Sequence, residues 1–527
     1  MAGCGYLLAN NSSSQVNDYK NQVGFTFLIF VFNLFLKFQA MKKLILLSLT
    51  IFFAYVSFSQ NYPFPQHISY AGTHIKPGNY TQKELDKIVT DFYYNWRTKY
   101  LKNSCGANQY FISFNDGKTC VSEGQGYGMM IFPLMAGYDF NAQSYFDGLY
   151  RYYKAHPSNI NSNLMAWKQV DCVDEDGADA ASDGDIDIAY GLLLAHAQWG
   201  SSGDINYLQE AYNIIGAIMK DEINQETWTV KLGDWTSSGD NYYYSTRTSD
   251  FIIDHFRVFK CAGNDNSWEK VVESCYSLIE DMQNNYSSST GLLPDFIIDV
   301  NTTPKPASPN FLEGDNDGNY YYNACRDPWR LTTDYLLFAD ERAKTAVNKI
   351  NTWLMNKTAN APSEIKSGYK LNGTEIATWD DPAFVGPFAV GAMLDINNQQ
   401  WLDDIFEKLL AYKFEDNDYY SNTIKLLNLL VISGNYWSPD CDDLVLGFND
   451  LKINNESFTI TVLHNVLKVE KNAANVAGII VDMKGNILKT VFLSKRISKF
   501  DLSDLPEGCY ILKLNTKIPV VKKFMLW

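Results

Sequence analysis

Between about residues 80 and 435, apolar positions recur every three to four residues, the spacing that lines one face of an α-helix. Thr81 with Glu84 reads as a capping box, a hydroxyl and a carboxylate satisfying the first free N–H groups. It opens a stretch with Leu85, Ile88, Val89, Phe92 and Trp96 on one face. Similar stretches recur around 126–137, 141–155, 185–199, 205–221, 248–260, 267–285, 328–338, 341–356, 384–396, 399–412 and 419–433. Roughly a dozen helices are therefore predicted, joined by loops rich in Gly, Asp, Asn, Tyr and Trp. An even number of helices with long aromatic loops suits a closed ring of helical hairpins, an α/α toroid with a site in the loops at one end. An open α-solenoid is the alternative, although no repeat period shows.

Two stretches break this pattern. Asn301-Thr-Thr-Pro-Lys-Pro-Ala-Ser-Pro-Asn310 holds three prolines and can be neither helix nor central strand. Long irregular insertions of this kind are often functional. Past Asp440 the period falls to two, with strands predicted at Phe458–Leu463, Val476–Asp482, Leu488–Leu493 and Tyr510–Leu514. Turns at Lys484-Gly485-Asn486 and Pro506-Glu507-Gly508 separate them, and the segment reads as a small β-sandwich-like tail.

A chain of 527 residues is too long for one ordinary core, so several domains are expected. Met41-Lys42-Lys43, the apolar run from Leu44 and the small residues before Gln60 have the form of a secretory signal peptide. Residues 1–40 then read as an upstream extension from a mis-assigned start, 41–60 as the signal peptide, 61–440 as the helical domain and 441–527 as the β-rich tail. The extension has its own apolar run, Phe25 to Leu36, so a membrane hairpin is the competing reading.

Net charge is −16, and because 1–60 and 441–527 each carry +3, residues 61–440 carry −22. Such a body repels nucleic acid and attracts cations or cationic substrates, although solubility alone also accounts for it. Eight cysteines follow the leader; Cys105 and Cys120 flank a loop before Glu123 and suggest a disulfide. Six histidines and no Cys-x-x-Cys pair argue against a metal site, and no cofactor is expected. Aromatics make up 15% of the chain; their flat faces suit sugar rings, although large helical cores also use them.

Chemistry concentrates in two segments. Ser122-Glu-Gly-Gln-Gly-Tyr-Gly128 sets one acid among three glycines at the mouth of an apolar helix. Glycines let backbone or substrate approach closely. A carboxyl in partly apolar surroundings is raised in pKa, as a general acid requires. A glycine-rich helix start with a structural Glu fits equally well. In Ala181-Ser-Asp-Gly-Asp-Ile-Asp-Ile-Ala189, Ser182 and Asp185 can cap a helix whose inner face carries Ile188, Leu192, Ala195 and Trp199, with Asp183 just before it. The alternate aspartates also suggest a calcium loop, but Ile188 stands where glycine is required and Leu194 where Glu is required.

These two motifs, followed in order by Leu232-Gly-Asp-Trp235, Thr246-Arg-Thr-Ser-Asp250, His255-Phe256, Tyr321-Tyr-Asn-Ala-Cys-Arg326 and Pro328-Trp329-Arg330, closely resemble glycoside hydrolase family 8 over about 65–437. The resemblance implies an all-α (α/α)6 barrel and an inverting endo-hydrolase of β-glucan, chitosan or xylan. It places Glu123 on the proton donor and Asp183 on an aspartate that positions and distorts the sugar. Trp167 and Trp235 fall where sugars stack, and Tyr127, Arg247, Tyr322, Asn323 and Arg326 fall among the substrate-binding positions, with Arg326 orienting neighbouring carboxylates.

One departure matters. Where many members carry an Asp as general base this chain has Asn323, and an amide cannot take a proton from water. Some members with this Asn take the base from a Glu in an upstream insertion, which here is Glu313 in Phe311-Leu-Glu-Gly-Asp-Asn-Asp-Gly318; Asp315 and Asp317 are runners-up. Inversion requires the two carboxyls roughly 6.5–9.5 Å apart with water between them. Asn323 also leaves open a disabled, glycan-binding scaffold. The tail, with Val481-Asp-Met-Lys-Gly-Asn486 and Asp501-Leu-Ser-Asp-Leu-Pro-Glu-Gly-Cys-Tyr510, resembles the C-terminal sorting domain of type IX secretion substrates, a fibronectin-like sugar-binding module being the alternative. The expected partners are a polysaccharide and the export machinery, with no nucleic acid, and the expected state is a secreted or surface-held monomer.

Overall fold

The computed structural model describes residues 60–415, 417–441 and 444, and in the C-terminal segment 451–453, 456–463, 466–471, 476–482, 486–493, 497–506, 508–514 and 520–526. The expected extension (1–40) and all but the last residue of the expected signal peptide (41–60) lie outside these.

Twelve α-helices are found among the described residues: α1 Gln82–Tyr100, α2 Ser122–Met135, α3 Ala142–Ala155, α4 Ser182–Trp199, α5 Tyr207–Ala217, α6 Ile253–Gly263, α7 Ser267–Asn285, α8 Asp327–Phe338, α9 Glu341–Thr358, α10 Pro382–Ala392, α11 Gln399–Ala411 and α12 Tyr419–Ile432. They alternate in character. The even-numbered helices bury most of their surface, α2, α10 and α12 almost all of it. The odd-numbered helices bury one stripe and leave the other side to solvent. A helix apolar on every side needs neighbours on every side, so the even set forms an inner ring and the odd set an outer one. Successive inner helices pack on one another from α2 to α12. The ring closes where the Trp96 indole of α1 donates to Thr423 Oγ1 of α12 at 2.9 Å and Tyr419 of α12 abuts Gly124 of α2. The architecture is an (α/α)6 barrel.

Glycines set the closest approach, between α2 and α4. A Cβ on Gly126 would lie 2.7 Å from Asp187 Cβ, and one on Gly184 would lie 2.4 Å from Ser122 Oγ. What these glycines admit is therefore the partner helix. The result is that the first turns of α2 and α4, carrying Glu123 and Asp183, stand side by side.

Several expected boundaries move. α2 begins at Ser122 rather than 126, because its glycines give no apolar signal. The stretch predicted at 248–260 divides into a 3₁₀ turn, Thr248–Asp250, and α6. The stretch at 205–221 ends as a π-turn, Ile218–Glu222. Ser182 and Asp185 do not cap α4: Ala181 holds the cap position, Ser182 is buried, and Asp185 Oδ1 instead accepts from the Met165 N–H at 2.9 Å. Asp183 lies inside the first turn, not before it.

The cysteine pairing also differs from expectation. Cys105 bonds Cys172, and Cys261 bonds Cys441. Cys120 is a buried thiol within 3.6 Å of Gln125 Oε1. The reason is register: strand Thr119–Val121 pairs with Lys168–Val170, whose hairpin carries Cys172 to Cys105 while Cys120 faces the core.

The tail forms two antiparallel four-stranded sheets. One runs Ile497–Asp501, Val466–Lys471, Glu456–Leu463, Leu451–Ile453; the other runs Ile487–Leu493, Val476–Asp482, Gly508–Leu514, Val520–Leu526. Leu467 and Val469 from the first sheet share a buried cluster with Ile480, Val491, Leu512 and Phe524 from the second.

Candidate active site

The starts of five inner helices, and the short turn before α6, meet at one end of the barrel. Free N–H groups and the helix dipole make each such start mildly positive, so the end favours carboxylates. Glu123 and Asp183 occupy the first turns of α2 and α4. Arg326, immediately before α8, organises them: its Nη1 donates to Glu123 Oε2 at 2.7 Å, to the Tyr127 hydroxyl at 3.1 Å and to Asp183 Oδ2 at 3.3 Å. Nη2 donates to Ser249 Oγ at 2.8 Å and to Asn323 Oδ1 at 3.0 Å. With 1% of its side chain exposed, Arg326 serves as a fixed internal cation.

The Glu123 side chain keeps 16% of its surface open. Burial pushes its pKa up to about 7; Arg326 opposes that rise, and Asp183 and Asp187 add to it. Because a guanidinium only donates, the oxygen facing Arg326 carries no proton and the acidic hydrogen sits on Oε1. Asp187, one turn deeper, is lifted by burial but held below the usual range overall by Arg330 and His255. Arg330 reaches it at 2.7 Å and His255 at 3.1 Å. The three alternate aspartates of α4 thus point to three different partners and do not form one ligand set. Among the described residues no group of His, Cys, Asp or Glu is arranged to hold a metal.

The proline-rich insertion brings Glu313 to the same place. Glu313 Oε2 accepts from Asn323 Nδ2 at 2.8 Å and Oε1 from Arg247 Nη2 at 3.1 Å. Its side chain is 48% exposed. Asn323 is fixed in orientation by its two neighbours: its Oδ1 accepts from Arg326, which can only donate, and its Nδ2 donates to Glu313 Oε2. An aspartate here would set a second carboxyl against that of Glu313, where the amide instead donates to it.

The runners-up are occupied otherwise. Asp317 is 3% exposed and gathers the N–H groups of Leu312, Glu313 and Gly314 at 2.7, 3.0 and 2.9 Å. Asp315 is held by Asn310 Nδ2 at 2.6 Å. Asp317 therefore shapes the loop that presents Glu313. Replacing Asp317 with Ala is expected to cut kcat by about tenfold or more through misplacement of Glu313, with little change in melting temperature. Steady-state rates and a thermal melt check this; an unchanged kcat would contradict it.

Trp167 and Trp235 flank the acids. The Trp167 carbonyl accepts from the N–H of Ser122, next to Glu123, at 2.9 Å. The loop of Trp235 is tied to the strand before α4 by the Ala180 N–H on Asp234 Oδ1 at 2.8 Å. Both rings are half-buried, and Trp235 packs edge-on against Tyr242, which packs against Phe311 in the insertion. Tyr322 is half-buried, its hydroxyl 3.2 Å from Asp381 Oδ2. Tyr127 and Arg326, both expected to bind substrate, are 0% and 1% exposed, and the Tyr127 hydroxyl accepts from Arg326 at 3.1 Å.

Some contributors carried no usable sequence signal. Ser249 braces Arg326. Asp250, 3.4 Å from Arg247, is pushed up to about 7 by burial against the pull of Arg247. Asp295 accepts from the N–H groups of Tyr321 and Ala324 at 2.9 and 2.8 Å and so shapes the Asn323 turn. Ser249 and Asp250 lie in the Thr246–Asp250 motif, which by itself gives neither a role; Asp295 had no local signal, because its partners lie 26 and 29 residues away.

Comparison with known proteins sets this geometry among relatives. The family model of Glycosyl hydrolases family 8 matches residues 82–434, and that of the Secretion system C-terminal sorting domain matches 454–526. A Beta-glucanase of Niallia circulans is 48% identical over 379 residues, 72% of this chain and 92% of that protein. An Endoglucanase of Bacillus sp. (strain KSM-330) is 40% identical, over 72% of this chain and 83% of that protein. The apo structure of a beta-1,3-1,4-glucanase from Paenibacillus sp. X4 superposes with a TM-score of 0.70 at 49% identity, covering 72% of this chain and all of the other.

Proposed function

The chain belongs to glycosyl hydrolase family 8, and from that premise we propose an inverting endo-glucanase that cuts β-1,4 bonds in cellulose-like or mixed-linkage β-glucan. Relatives at 48% and 40% identity named for β-glucan and glucan cleavage support this substrate class. The observation that carries the mechanism is the relay from Glu123 through Arg326 and Asn323 to Glu313. A guanidinium and an amide link the two carboxyls, and Glu313 faces solvent. An acid and a solvent-facing base held by different partners support inversion, in which water stands between the two carboxyls.

In the reaction, Glu123 gives its Oε1 proton to the glycosidic oxygen as the bond to the anomeric carbon breaks. Glu313 takes a proton from a water attacking the opposite face of the sugar. Asp183, held by Arg326, accepts from sugar hydroxyls at the cleavage point and favours the distorted ring. Trp167 and Trp235 offer faces for neighbouring sugars.

The test is to incubate the protein with carboxymethyl cellulose, lichenan, chitosan and xylan and to count reducing ends. Fastest release is expected from the two glucans, with the α-anomer appearing first by proton NMR. Release confined to chitosan or xylan would overturn the substrate assignment, and a β-anomer first would overturn inversion. Because Glu123 works protonated, kcat/KM is expected to fall about tenfold per pH unit above about 7. Initial rates across pH check this; a profile flat through the alkaline side would contradict it.

The sorting domain makes the chain an exported one, with the export machinery as a partner. Action as a monomer, after removal of the leader near Asn61, fits a site assembled wholly within one barrel.

A further inference from the structure

Trp379 lies on the loop before α10 with 53% of its surface exposed, and no other tryptophan among the described residues is exposed. Exposed apolar side chains scattered singly are ordinary and call for no role. This one differs in being held. Its carbonyl accepts from the Ser367 N–H at 2.9 Å, and two residues on, Asp381 Oδ2 accepts from the Tyr322 hydroxyl at 3.2 Å. The next two residues are tied down as well: Asp380 pairs with Lys408, and Asp381 accepts from the Ala383 N–H and the Ser421 hydroxyl, both at 2.7 Å. Trp379 thus stands on a loop anchored through its own carbonyl and the two residues that follow, with its ring open to solvent. An aromatic surface ordered before binding loses little freedom when a ligand arrives.

The bond of Asp381 to Tyr322 gives the location of this loop. Tyr322 directly precedes Asn323, which contacts both Glu313 and Arg326. The Tyr322 ring meets Tyr321 at 4.8 Å and Tyr420 at 6.1 Å. The Trp379 loop is therefore joined, through Asp381, to an aromatic cluster that starts beside the residue bridging Glu313 and Arg326. We propose that Trp379 is an outer platform on which a sugar unit of a β-glucan chain stacks, beyond the units at the bond being cut, so that it selects long chains over short ones. This rests on the glucanase reading above. The chemistry is the fit of the apolar C–H face of a pyranose on an indole, with no charge required of the ligand.

The experiment compares Trp379→Ala and Trp379→Phe with the native protein on lichenan and on a ladder of purified cello-oligosaccharides, measuring kcat and KM separately. Trp379→Ala is expected to raise KM for the polymer and the longest oligomers about five- to tenfold, with kcat within about twofold and the shortest cleavable oligomer unaffected. Trp379→Phe should recover most of the loss. An unchanged polymer KM, an equal loss at every chain length, or a loss in kcat alone would overturn the platform while leaving the glucanase reading intact. A native protein inert on every glucan would overturn the glucanase reading and the platform with it.

Discussion

Glu123→Gln is expected to lower kcat on polymeric glucan by about 10²–10⁴-fold, with oligosaccharide affinity nearly unchanged. The amide is isosteric with the protonated acid and neutral like it. It can still accept from Arg326 Nη1, which now lies 2.7 Å from Oε2, so Arg326, Tyr127 and Asp183 keep their places. What it lacks is a proton to give. An aryl glucoside whose leaving group departs without protonation should therefore lose much less than the polymer. Near-normal turnover of the polymer, or equal losses on both substrates, would sink Glu123 as the acid. Isothermal titration with a cello-oligosaccharide gives the affinity, and reducing-end release gives the rate.

The second large effect is expected at Glu313. Removing the base by Glu313→Ala should cost about 10²–10⁴-fold in kcat, and azide should restore part of it. With 48% of its side chain exposed, Glu313 leaves a space that a small anion can enter from solvent. Azide then attacks the anomeric carbon from the side that water used and needs no deprotonation, so the product is the α-glycosyl azide. Asp250 cannot substitute, because it is fully buried behind Arg247, and Asp317 is committed to three backbone N–H groups. Full activity without azide would assign the base elsewhere; a β-azide would mean a retaining mechanism.

The helices were legible because their signal is local. Apolar spacing of three and four residues depends only on each segment's own geometry, so α1 to α12 all appear near their expected places. Boundaries failed where the local signal was missing or ambiguous. The glycines of α2 hid its first turn, and Ser182 and Asp185 resembled caps although burial in the ring gave them other surroundings. The disulfide of Cys105 was misassigned for a related reason: proximity in sequence pointed to Cys120, while strand register delivered Cys172.

By itself, the sequence determined the dozen helical stretches, the β-rich tail and the glycine-flanked acid at 123, each a matter of residue type and short-range spacing, while the closed barrel and the acid missing at 323 were implied by the family resemblance. Only the tertiary structure decided how these act on one another. Arg326 reaches Glu123 across 203 positions of chain, and Asn323 turns its amide to Glu313 because Arg326 already claims its oxygen. Closing a ring brings the starts of distant helices to one end, and only there do burial and opposed charges set the Glu123 carboxyl near 7 and leave Glu313 facing water.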